Sequence, residues 1–122
     1  MSIETDFRTA LLAHAPLTAL VVDRVSQDAA PDGTSYPLVL FSVRRDSVNA
    51  LDGTLLIDQA TVAVQCWGDS AASAGAVADA VRDALAAVIL SHGALLLDRS
   101  TATDVELDLD AVYLTFQWWG PP

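Results

Sequence analysis

Four carboxylates near the end of the chain, Asp104, Glu106, Asp108 and Asp110, alternate with Val105, Leu107 and Leu109. On one extended strand they would line a single face at intervals of about 6.6 Å, and a row of oxygen donors raises the question of a hard cation such as calcium. A calcium loop curls its carboxylates around one point and needs a glycine at the bend, and no glycine stands in this segment. The alternation is therefore read as a solvated edge or a stripe facing a channel, and no metal is expected.

Cys66 alternates with Val62 and Val64 on the apolar face of an expected strand, where a thiol is buried and inert. His14 and His92 fall at the ends of expected helices, where an imidazole commonly bonds the last free carbonyls. Gly-x-Ser-x-Gly elbows, His-Glu-x-x-His pairs and glycine-rich phosphate loops are all missing. No residue set joins a nucleophile to a base or cradles a cofactor, so neither catalysis nor a cofactor is expected. Arg44-Arg45 is the one pair of adjacent positive charges, and on a strand its side chains point to opposite faces. Such a pair serves either nearby aspartates or an acidic neighbouring subunit.

The elements that must position these residues follow from periodicity. Ser2 can cap a helix through about Ala15, with Phe7, Leu11 and Leu12 on its apolar side. Pro16 ends that helix or opens a short second one carrying Leu17, Leu20 and Val21. A short strand is expected at Asp23-Arg24-Val25, then a loop from Asp28 to Tyr36. From Leu38 to Arg45, Val39, Phe41 and Val43 alternate with Leu40, Ser42 and Arg44, so both faces are partly apolar. A break from Asp46 to Thr54 joins this strand to a partner running from Leu55 to Trp67. Asp69 or Ser70 then caps a long alanine-rich helix with Val77, Val81, Leu85, Val88 and Ile89 in one stripe, and Gly93 suits its C-terminal cap. A strand restarts at Ala94 to Leu97. The final hairpin is placed at Val105 to Asp110 and Ala111 to Trp119, with Val112, Leu114, Phe116 and Trp118 facing the core. This order gives a single α+β domain over residues 1–122, a mainly antiparallel sheet with two helices packed on one face. Trp67 and Trp119 are left on the helix-free face, where Trp119 is expected to serve an interface.

Composition narrows the function further. The 122 residues suit one domain and are 52% hydrophobic, as in a folded chain. All six basic residues are arginines, against sixteen acidic ones, and the net charge of -10 repels phosphate backbones and anionic lipid. The acidic start Met1 to Asp6 is unlike a secretory signal. No uncharged run exceeds 14 residues, the length from Ala84 to Leu97, short of the roughly 18 needed to span a bilayer, and no membrane partner is expected. A lone cysteine is compatible with a reducing cytoplasm.

Three segments together carry a resemblance: Phe7-Arg8-Thr9-Ala10-Leu11-Leu12, Leu51-Asp52-Gly53, and Val64-Gln65-Cys66-Trp67 leading into Ala76-Val77-Ala78-Asp79-Ala80-Val81-Arg82-Asp83-Ala84-Leu85. In order and length they resemble the tail-completion, or tail-terminator, proteins of long-tailed bacteriophages and gene transfer agents. The resemblance implies an α+β subunit that closes a homo-hexameric ring, caps the tail tube to end its polymerisation, and presents a docking surface to the head-completion protein of the neck. It implies a place in the virion after assembly in the bacterial host cytoplasm, with DNA passing through an acidic channel without specific binding. The loop residues Asn49, Leu51, Asp52 and Gly53 are then expected to meet the tail tube or a subunit, and Arg44, Arg45 and Trp119 to lie at the subunit interface. Asp104, Glu106, Asp108 and Asp110 would face the channel. The last hairpin departs from the family pattern, because Leu107-Asp108-Leu109-Asp110-Ala111 stands where a glycine turn is usual, and this leaves the turn position open. A head-completion or connector protein of the same neck and a cytosolic binding module are the alternative readings.

Overall fold

A computed structural model describes residues 3–28, 36–49, 55–86, 95–106 and 108–120, with Ile3, 45–49, 55–59, Leu95, 119 and 120 described by backbone alone. In chain order the elements are α1 (Ile3–Leu12), α2 (Ala15–Val21), β1 (Val25–Gln27), β2 (Leu38–Asn49), β3 (Leu55–Gly68), α3 (Ala71–Ala86), β4 (Leu95–Asp104) and β5 (Leu109–Gly120). The strands form one sheet in the order β1-β2-β3-β5-β4. Only β1 runs parallel to its neighbour; the other three pairings are antiparallel. The class is α+β, as expected, with α1 and α3 on one face of the sheet and the short α2 packed beside them.

Burial follows the period of two that a sheet covered on one face requires. On β3, Val62, Val64 and Cys66 are fully buried while Ala63 and Gln65 are exposed. The register carries this pattern sideways: Val39, Cys66 and Val112 lie in one row, and Phe41, Val64 and Leu114 in the next. The helices supply Phe7, Leu11, Leu17, Val21, Val77, Val81 and Leu85 to the same cluster. Phe7 sits at its centre, 5.1 Å from the ring of Phe41 and 5.4 Å from that of Trp118, edge-on to the indole. Such offset and edge contacts suit the ring quadrupoles and add to the burial itself.

Helix α3 approaches the sheet closely because its buried face is built largely from Ala74, Ala78, Ala80 and Ala84. Ser70 caps it, its Oγ accepting the Ser73 N–H at 3.1 Å. The turn from β3 into this helix is tight enough that a Cβ on Gly68 would lie 2.6 Å from the Ala74 nitrogen and 2.8 Å from Ser73 Oγ. Only glycine fits there. Pro16 opens α2 rather than merely ending α1. His14 stands between them as the residue before α2, and its imidazole makes no capping bond. The backbone carbonyl of His14 begins the hydrogen bonding of α2, accepting the N–H groups of Leu17 and Thr18 at 3.1 Å.

Two expectations are corrected. Strand β2 does not break at Asp46 but continues to Asn49, pairing Asp46 with Gln59, Ser47 with Asp58 and Val48 with Ile57. Strand β5 ends opposite Asp58, so only the last described pairs, Val48 with Ile57 and Asn49 with Leu55, form a two-stranded ribbon beyond the third strand. Strand β4 runs on to Asp104, and the segment after it reverses through a turn. The expected strand from Val105 to Asp110 is therefore not formed as such: Val105, Glu106 and Asp108 lie in turn, and Leu109 and Asp110 already belong to β5. Asp108 has φ 54, a left-handed conformation that aspartate tolerates in turns and that no strand could contain.

The buried stack of Phe7, Phe41 and Trp118 predicts that Trp118→Ala costs about 3–5 kcal/mol of stability, the range for deleting a core aromatic. Urea unfolding measures this. A loss below about 1 kcal/mol, the scale of a surface change, would show that Trp118 does not anchor the core.

Candidate functional site

The residues singled out by the sequence fall at two opposite ends of the sheet. At one end lies the β2–β3 ribbon. Asn49, paired with Leu55, is the last described residue of β2, while Leu51, Asp52 and Gly53 lie outside the described residues. Arg44 is exposed in the row with Thr61 and Gln117 on the helix-free face. Arg45 occupies the next row, opposite Ala60. Trp119 pairs with Gln59, which in turn pairs with Asp46, so its backbone position is two strand spacings, about 10 Å, from β2. Register thus gathers the backbones of Arg44, Arg45 and Trp119 near the base of the ribbon.

The opposite end holds the β4–β5 turn. Asp104 ends β4, Glu106 and Asp108 sit in the turn and are exposed, and Asp110 lies in β5. The straight acidic stripe is thereby replaced by carboxylates wrapped around a hairpin tip. Asp104 Oδ1 accepts the Glu106 N–H at 3.1 Å, and Asp110 Oδ1 accepts the Thr103 hydroxyl at 2.8 Å. These bonds shape the turn. Among the described residues no group of three or more histidine, cysteine or acidic side chains is arranged to hold a metal ion.

Beside this tip the helix-free face is not flat. A depression of about 240 Å³ is lined by Tyr36, Leu38, Leu40, Gln65, Trp67, Asp104 and Leu109. Leu38 is 3% exposed and Leu109 8%, although both lie on the face without helices. Trp67 is held in place by its Nε1–H, which donates to Gln65 Oε1 at 3.0 Å, and its ring stands edge-on to Tyr113 at 6.3 Å. The sequence carried the signal in the apolar second face of β2, at Leu38 and Leu40. What it lacked was the register that sets them beside Trp67 and Leu109.

Four further arginines make contacts within the domain. Arg8 donates to the Val25 carbonyl at 3.0 Å and Arg24 to the Pro37 carbonyl at 2.9 Å. Arg99 on β4 reaches Asp79 on α3 at 2.9 Å, and Arg82 also approaches Asp79. Cys66 is buried, and desolvation pushes its thiol from an ordinary 9.0 up to about 12, with Arg99 pulling weakly the other way. A proton held this tightly leaves no thiolate near neutrality.

No helix among the described residues is long and apolar enough to cross a membrane. The family model described as Tail completion protein gp17 matches residues 5–119. Among solved structures, a chain of a virion of a native gene transfer agent particle shares the fold, with a TM-score of 0.75 at 21% identity, covering 97% of this chain and 93% of that one. No curated protein matches the sequence.

Two outcomes follow from the geometry. The folded thiol of Cys66 holds its proton more tightly than the unfolded one, so its contribution to stability is complete below about pH 9 and falls as pH rises towards 12. Iodoacetamide at pH 8 should accordingly label Cys66 only after denaturant is added; rapid labelling of the native protein would contradict its burial. EDTA should leave Tm unchanged, since a bound ion would raise it by mass action. A fall of several degrees, reversed by calcium, would instead identify a metal site at the β4–β5 tip.

Proposed function

The chain belongs to the tail completion protein gp17 family, and from that membership we propose that it ends the tail tube of a phage-like particle. In this reading the protein is a structural component of the virion tail and neck, not an enzyme. Copies close a homo-hexameric ring on the tube, stop its polymerisation and offer the head-completion protein of the neck a surface on which to dock. The family match over residues 5–119 carries the reading. Support comes also from the β2–β3 ribbon, which reaches past the end of β5 and so extends away from the core.

Ring closure requires a heterologous contact, in which one patch meets a different patch of the next copy. The base of the ribbon, with Arg44, Arg45 and Trp119, is the proposed subunit contact. Its arginines suit a neighbour whose surface is otherwise acidic. The outer ribbon, with Asn49, Leu51, Asp52 and Gly53, is proposed to meet the tube or an adjacent subunit, as exposed loops on a rigid scaffold often do. Six copies carry about -60 formal charges, and Asp104, Glu106, Asp108 and Asp110 contribute to a lumen that DNA crosses without adhering.

Native mass spectrometry and electron microscopy of the protein mixed with tail tubes should show a closed hexamer at the tube end. A strict monomer both alone and on tubes would overturn the terminator reading. Deleting Asn49 to Gly53 should preserve the fold yet give overlong or unjoined tails, and Trp119→Ala should fold normally and assemble poorly. Normal tail lengths and full infectivity in these variants would remove the ribbon and Trp119 from the assembly surface.

A further inference from the structure

We draw no further inference here: the strongest candidate, the apolar depression beside Trp67 on the helix-free face of the sheet, carries none because nothing in the structure shows what covers it.

Discussion

Every other element is placed by β3, a strand paired on both sides and buried on one face. Its backbone spends its hydrogen bonds on β2 and β5, so neither neighbour can slide without breaking a whole ladder. A slip of one residue would carry Val62, Val64 and Cys66 to the exposed face. That coupling of register to burial fixes which side the helices must cover. Gly68 extends the constraint, because the chain can enter α3 so close to the sheet only where no Cβ intervenes.

This is also why the central part of the fold was legible from sequence. The alternations at Val62, Val64, Cys66 and at Val112, Leu114, Phe116, Trp118 state a face directly, and Ser70 with the stripe Val77, Val81, Leu85 states a helix. Where one side of an element meets water on both faces, that language fails. Asp46 to Asn49 read as a break because polar residues in a ribbon and polar residues in a turn look alike. Asp98 to Asp104 lie on an edge strand, bulged at Leu97 between Leu96 and Asp98, and its charges resist further pairing without advertising a strand. The acidic alternation misled for a related reason. A period of two is only a face if the backbone stays extended, and the positive φ of Asp108 ends that condition. The depression beside Trp67 was less legible still, since its walls come from β2, β3 and β5 and meet only through register.

The distribution of charge complements this architecture. Arginines are spent on joints: Arg8 joins α1 to β1, Arg24 joins the end of α2 to the start of β2, and Arg99 joins the β4 edge to α3. Arg8 and Arg24 bond backbone carbonyls, and the one ion pair among these joints, Arg99–Asp79, is exposed and adds little stability by itself. Their larger effect is on what remains visible from outside. With Arg8, Arg24, Arg82 and Arg99 engaged by acceptors of their own chain, the sixteen acidic residues set the sign of the protein's charge.

The contact between Phe7 and Trp118 joins the two ends of the sequence at the centre of the core. During translation, a nascent chain can therefore assemble α1, the β2–β3 pair and α3 while the space for Trp118 is still empty. Closure of such distant contacts is slow relative to local structure, and the core is incomplete until the last strand leaves the ribosome. The same last strand lays down both the row that completes the core and the backbone of Trp119. A truncated chain would thus lack a finished interior, which ties a complete core to completion of synthesis.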